Sequence, residues 1–319
     1  MPRLRVSEGL LTTLFILSVP ASSTTFDYTT ISVPGFAGPE ARGINNAGQI
    51  VGFGGAGEVS KGFILSGDVV TTIFRSGSSG TELFGINNKT QFVGTYFGGM
   101  RPGHNALAGV VGALHPVLVP GADSTPEANG INNLGQIVGD SVTGGVTSGF
   151  LDDAGKFTTL FYPGSSGTEA SGINDHGAIV GTYTDSAGGQ HAYVYKDGVY
   201  TAIQIPGATG DSHATRINSS GQIVGYFESK EGTQGFLDDN GVFSILTFPG
   251  VSITHVFGVN DAGEIVGTYE DAAFRLFSFR ATPIAAGAVP EPPTSALVAV
   301  SLVLVVLGAL RAARAGTRH

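Results

Sequence analysis

Apolar residues fall in short runs with polar neighbours, and Gly, Asn, Asp and Pro interrupt the chain between them. That pattern predicts short strands rather than helices. One ten-residue phrase organises the runs. Gly43–Gly52 reads GINNAGQIVG, and it returns at Gly85–Gly94 (GINNKTQFVG), Gly130–Gly139 (GINNLGQIVG), Gly172–Gly181 (GINDHGAIVG), Arg216–Gly225 (RINSSGQIVG) and Gly258–Gly267 (GVNDAGEIVG). Successive starts lie 42, 45, 42, 44 and 42 residues apart, so the chain is built from six copies of one unit.

Each copy predicts four strands. The first ends at the Ile-Asn pair, and an Asn-x-Gly turn follows, where Asn and Gly tolerate positive φ. The QIVG segment is the second strand, its β-branched residues suited to a packed sheet. A third strand shows at Gly149–Leu151, His191–Tyr195 and Gly235–Leu237, and a fourth at Phe157–Phe161, Val199–Ile203 and Val242–Leu246. Most fourth strands end at Pro-Gly. The last copy has only three strands before Ala281–Pro283, while Phe26–Val33 supplies a lone strand ahead of the first copy. Pairing the two closes a ring.

The expected fold class is therefore all-β, a six-bladed β-propeller closed by an N-terminal strand, with a C-terminal hydrophobic helix beyond it. Closure protects sheet edges. An open solenoid would need caps on its terminal copies, and the sequence shows none. The repeat, with its GFLDDxG-type strand pair, resembles the HAF family of extracellular repeat proteins over roughly residues 26–281. That resemblance implies an extracellular location and brings no catalytic residues with it.

Both ends read as addresses. Residues 1–23 predict a signal peptide: Arg3 and Arg5, an apolar run from Leu10 to Val19, then small residues with Val19 and Ala21 at the −3 and −1 positions, or cleavage after Ser23. The repeat domain is expected over 24–283. A Pro/Ala linker follows at 284–294, carrying Val289, Pro290, Glu291 and Pro292; then come an apolar helix at 295–310 and a basic tail at 311–319. Such a helix reaches about 24 Å, slightly short of a hydrocarbon core. This order resembles the PEP-CTERM sorting domain of Gram-negative bacteria. The resemblance implies an exosortase as processing partner, transient residence in the inner membrane, and delivery to the cell surface or beyond. A plain membrane anchor is the other reading of the same segment.

Composition narrows the partners. A net charge of −9 argues against nucleic acid, because few cations are present to replace counterions around phosphates. The chain has no cysteine, which removes disulfides, thiolate metal sites and cysteine nucleophiles together.

Aligning the copies exposes one column of candidate chemistry three residues before each phrase: Glu40, Glu82, Glu127, Glu169, His213 and His255. In a propeller the first strand of each blade lines the channel, so the column predicts a ring near one mouth. Carboxylates and imidazoles there suit the hydroxyls and amines of a glycan, or a divalent cation, although no metal motif supports a cofactor. The alternative is a scaffold role, each Glu accepting backbone N–H groups in its own unit. Tyr96, Tyr183, Tyr226 and Tyr269 follow the Val-Gly of the second strand and either stack on sugars or pack between units. The Asp152/Asp153 and Asp238/Asp239 pairs read as hairpin turns, and His104, His115, His176 and His191 lack zinc spacing.

These features predict an exported, non-enzymatic surface or matrix protein serving as a binding or structural platform, with extracellular polysaccharide as partner. The competing expectation is an extracellular hydrolase or lyase acting on glycans through the Glu/His column.

Overall fold

The first Asn of each phrase builds its own turn. In the first copy Asn45 Oδ1 accepts Ala47 N at 3.1 Å and Gln49 N at 3.0 Å, while Gly48 adopts a φ of 72° and donates to Asn45 O. A short polar side chain that satisfies two backbone donors fixes the hairpin without any contact from outside. The second copy carries Thr90 where the other five carry glycine; it keeps the positive φ, at 60°, and its Oγ1 donates to Gln49 Oε1 at 3.0 Å.

The computed structural model describes residues 24–98 and 103–284. Within them the chain is all-β, and each copy forms a four-stranded antiparallel meander. The third copy shows the plan: Ser124–Ile131 pairs with Ile137–Thr143, which pairs with Val146–Asp153, which pairs with Lys156–Leu160. The sixth copy takes its fourth strand from the start of the domain. Phe26–Ile31 runs antiparallel to Leu276–Pro283 in continuous register from Phe26↔Pro283 to Ile31↔Ser278. The sorting motif Val289–Pro292, the apolar segment 295–310 and the leader 1–23 lie outside the described residues. Among the described residues no helix is long and apolar enough to cross a membrane.

Adjacent copies are joined by the same Asn that makes the turn. Its Nδ2 donates to the backbone oxygen of the equivalent Asn in the next copy: Asn45 to Asn87 at 3.1 Å, Asn87 to Asn132 at 2.9 Å, and Asn132 to Asn174 at 3.1 Å. Asn174 continues to Asn218 at 3.0 Å, Asn218 to Asn260 at 3.0 Å, and Asn260 returns to Asn45 at 3.2 Å. All six Asn are buried, so each bond replaces water around a group that could not be left unpaired.

Apolar packing follows the same joints. Val266 of the last copy sits with Ala41, Ile44, Ile50 and Phe63 of the first. Ser278 Oγ, again from the last copy, accepts Ala41 N at 2.8 Å and donates to Pro39 O at 2.7 Å. Fully buried rings such as Phe63, Phe236 and Phe279 each contribute roughly 1.5–3 kcal/mol of burial.

The glycine ending each QIVG segment has a steric cause. A Cβ on Gly139 would lie 1.9 Å from Glu127 O, and one on Gly225 would lie 1.9 Å from His213 O. In every copy the second strand presses onto the backbone of the Glu/His column, beside a register shift in the first strand, as between Ala128 and Gly130.

Candidate functional site

The first strands converge on a common axis, because the leading glycine of each phrase lets its neighbours approach. A Cβ on Gly130 would meet Ser171 O at 2.9 Å and Gly172 Cα at 3.0 Å. Five copies keep this glycine and the fifth has Arg216, whose long side chain enters the space that the glycines leave. Its Nη1 donates to Asn129 O and Ser171 O, both at 2.9 Å; its Nη2 donates to Phe84 O at 2.7 Å and Arg42 O at 3.4 Å. One guanidinium thus holds carbonyls from the first four copies. Desolvation, with a smaller contribution from Arg42, lowers its pKa to about 10, so it stays charged at neutral pH.

Above this plug lies a cavity of about 490 Å³. Glu127, Glu169 and His213 from the predicted column line it, together with Arg42, His104, Asn129, Asp140, Tyr226 and Phe257. Glu40, Glu82 and His255 belong to the same column but not to the lining. Glu40 accepts Arg42 Nη2 at 2.9 Å, Glu82 accepts Ser60 Oγ at 3.3 Å, and His255 stands edge-on to Tyr226 with centroids 4.6 Å apart. Among the described hydrogen bonds no carboxylate of the column takes a backbone N–H. The Asn ring carries the scaffold role that the column was a candidate for.

The third copy breaks the symmetry. Opposite each column residue stands the residue after the QIVG glycine: Glu40↔Phe53, Glu82↔Thr95, Glu169↔Thr182, His213↔Tyr226, His255↔Thr268. Only the third copy sets carboxylate against carboxylate, Glu127↔Asp140, an arrangement that destabilises a sheet. Desolvation, and then Glu169 and Glu127, hold Asp140 well above the usual carboxylate range, against a 2.8 Å bond from Asn129 Nδ2. Desolvation and Glu127 also raise Glu169. Glu127 Oε1 meets His104 Nδ1 at 2.5 Å.

The other side of the mouth has different chemistry. The guanidinium of Arg42 lies 4.0 Å from the Phe257 ring centroid, and His213 stacks on Tyr226 at 4.6 Å. His213 Nδ1 is within 3.2 Å of Thr182 Oγ1. Desolvation lowers the pKa of His213, and desolvation with Arg42 and His213 lowers that of His255 to about 4, so both imidazoles are neutral at pH 7. An acidic wall therefore faces a wall of neutral imidazole, aromatic rings and the Arg42 guanidinium. Among the described residues no group of three or more His, Asp or Glu is arranged to hold a metal ion.

The four tyrosines separate by one position. Tyr226 follows its glycine directly and faces the cavity, whereas Tyr96, Tyr183 and Tyr269 come one residue later and point the other way. Tyr183 stacks on Tyr162 and Tyr269 on Phe248, each at 3.7 Å, and Tyr96 lies under Arg75 at 4.3 Å. These three pack against the turn leading in from the previous copy. The acidic pairs are turns: Asp152 Oδ1 accepts Gly155 N at 2.7 Å and Asp238 Oδ1 accepts Gly241 N at 2.6 Å.

No family model and no curated protein matches the chain. Solved structures do. TolB from Acinetobacter baumannii is 14% identical with a TM-score of 0.50, over 79% of this chain and 65% of that one, so this chain spans less than two thirds of TolB. The Aleuria aurantia lectin, described as a six-bladed β-propeller with a novel fucose recognition mode, is 11% identical with a TM-score of 0.50 over 79% of this chain and 99% of the lectin. A luciferin-regenerating enzyme is 11% identical with a TM-score of 0.51 over 82% of this chain and 96% of the enzyme. At such identities the likeness shows the fold, a β-propeller, and leaves function to the site.

Proposed function

We propose that this chain is an exported surface protein whose six blades close into one ring through Phe26–Ile31, and whose channel mouth binds an amine-bearing sugar of an extracellular polysaccharide. The observation that carries the reading is the Glu127↔Asp140 pair, set against itself in the sheet and backed by Glu169 at a cavity wall. Such a pair costs stability, and a cationic, hydroxyl-rich ligand is the chemistry that offsets the cost. Tyr226 and Phe257 on the facing wall offer rings for the apolar face of a sugar. Export through the leader and exosortase sorting through Val289–Pro292 rest on the resemblance of those segments to known address signals. Delivery to the cell surface would bring the mouth to its ligand.

The test is titration of the full-length chain with a glucosamine trimer and a glucose trimer. The glucosamine trimer is expected to bind at least tenfold more tightly, and Glu169→Gln is expected to abolish the preference. Equal affinities, or a Glu169→Gln variant that keeps the preference, would sink the proposal.

A second reading has one specific observation behind it. Asp140 and Glu127 hold unlike environments within one cavity, one carboxyl desolvated and raised, the other bonded to His104. That is how an acid and a base are set apart in glycan-cleaving enzymes. Release of reducing ends from either trimer, lost in Asp140→Asn, would establish this reading in place of binding alone.

A further inference from the structure

Six equivalent turns join the copies, each placing one residue inward beneath the next unit: Val33, Arg75, Val119, Tyr162, Ile205 and Phe248. Shared bonds fix the equivalence. Ser78 N donates to Arg75 O, Ser165 N to Tyr162 O and Val251 N to Phe248 O. In the even copies a threonine hydroxyl also accepts the residue's own N–H: Arg75 N donates to Thr81 Oγ1, Tyr162 N to Thr168 Oγ1 and Phe248 N to Thr254 Oγ1. Arg75 is the one charged member of this column.

In the fourth and sixth copies the space around that residue is filled by rings. Tyr162 meets Tyr183, Tyr193 and Tyr200, and Tyr183 meets His191. Phe248 meets Tyr269, Phe279 and Tyr28, and Tyr269 meets Phe277. Strand register identifies the counterparts in the second copy. Asn105 stands opposite Tyr96 as His191 stands opposite Tyr183 and Phe277 opposite Tyr269. Leu107 replaces Tyr193 and Phe279 opposite the QIVG glycine, and Leu114 takes the place of Tyr200. The second copy has thus kept the tyrosine, as Tyr96, and exchanged the rest of the aromatic plug for Arg75, Asn105 and two leucines.

The exchange leaves a cavity of about 250 Å³ lined by Arg75, Tyr96, Asn105, Pro116, Leu118 and Pro126. Arg75 lies over the Tyr96 ring at 4.3 Å, and among the described residues no carboxylate pairs with it. Asn105 donates its amide N–H groups to Gly98 O and Gly103 O, which holds Oδ1 in place with no described donor. Leu118, 76% exposed, forms an apolar lip. A guanidinium locked on a ring presents its fork to a planar anion. A fixed amide oxygen accepts from a hydroxyl, and tyrosine and leucine suit the apolar face of a saturated ring. The volume falls below the roughly 300–1,000 Å³ of drug-sized pockets and matches a single ring.

We infer that this groove in the second copy is a second binding site, taking one carboxylate-bearing sugar residue. It is separate from the channel mouth and of opposite charge preference.

The test is titration of the full-length chain with glucuronate, glucose, acetate and N-acetylalanine. Glucuronate is expected to bind at least tenfold more tightly than each of the other three. Arg75→Leu, which installs the apolar character found in this column at Val33 and Ile205, is expected to lose that binding while the melting temperature holds or rises. Asn105→Asp, which gives Arg75 an internal carboxylate at nearly unchanged volume, is expected to lose it as well and keeps the test decisive if Arg75→Leu fails to fold. Glu169→Gln is expected to leave glucuronate binding unchanged, so this site can fail or stand independently of the channel mouth. Glucose, acetate or N-acetylalanine binding as tightly as glucuronate, or unchanged glucuronate binding in either groove variant, would overturn the inference.

Discussion

Arg216 donates to Phe84 O at 2.7 Å across the centre of the molecule, a bond from the fifth copy to the second. It exists because the fifth copy gives up the glycine that the other five retain. The side chain closes the space beneath the mouth cavity and ties four copies to a fifth.

Replacing Arg216 separates filling from bonding. Arg216→Gly restores the phrase and lets water reach the four carbonyls, and it is expected to cost about 2 kcal/mol in denaturant unfolding. Arg216→Met fills the same space without donors and leaves those carbonyls desolvated, so it is expected to cost about 1–2 kcal/mol more than the glycine variant. Met more stable than Gly here would show that the side chain acts by packing alone.

Gly139→Ala is expected to destabilise the chain by about 3 kcal/mol, because its Cβ would stand 1.9 Å from Glu127 O and the strand pair must part. Gly145→Ala, on an open turn at a φ of 81°, is the control and is expected to cost only about 1 kcal/mol from backbone strain. Thermal unfolding of both variants reads the difference.

Stability should change with pH in two opposed ways. Asp140 is raised in the folded chain, so over the window above its ordinary value of 3.8 the folded state holds more protons than the unfolded state. Stability falls as pH rises through that window. Asp140→Thr, the residue found in three other copies, is expected to lessen this fall, Glu169 keeping its own share of the same sign, and to gain about 1 kcal/mol at pH 8. His255 has the reverse sign: its folded pKa is about 4 against an ordinary 6.5, the unfolded chain binds more protons between them, and stability is lost as pH drops from 6.5 to 4. His255→Gln is expected to flatten that acid limb. Unfolding curves taken from pH 4 to 8 check both signs.

Most of the fold was legible because one constraint is written six times. The Asn-x-Gly turn, the QIVG strand and the lone leading strand appear in the sequence as they appear in the sheets. The site was legible only in part. The Glu/His column drew attention because it repeats, whereas the cavity owes its chemistry to residues that do not. Asp140 sits among Phe53, Thr95, Thr182, Tyr226 and Thr268, and alternation along the second strand would have placed all six beside the mouth. The same alternation along the first strand carries Arg42, Asn129 and Phe257, two residues past the column, to the same face. Tyr226 stands one position nearer its glycine than Tyr96, Tyr183 and Tyr269 do, and that single step reverses its direction. The Arg216 substitution was visible as a broken phrase, but its four carbonyl partners come from copies far off in the chain, where no local spacing points.

Arg42 of the first copy and Phe257 of the sixth meet at the mouth cavity only if the chain closes on itself, and Asp27 opposite Thr282 lies at that joint. Both residues are exposed, and the chain contains no cysteine to compete. Paired positions on antiparallel strands lie about 4.5–5.5 Å apart between Cα atoms, within reach of a disulfide. The full-length Asp27→Cys/Thr282→Cys variant is expected to form an intramolecular disulfide on mild oxidation, seen by mass spectrometry of the monomer, with a higher melting temperature than its reduced form. Free thiols after oxidation, or bridges only between molecules, would contradict the closed ring.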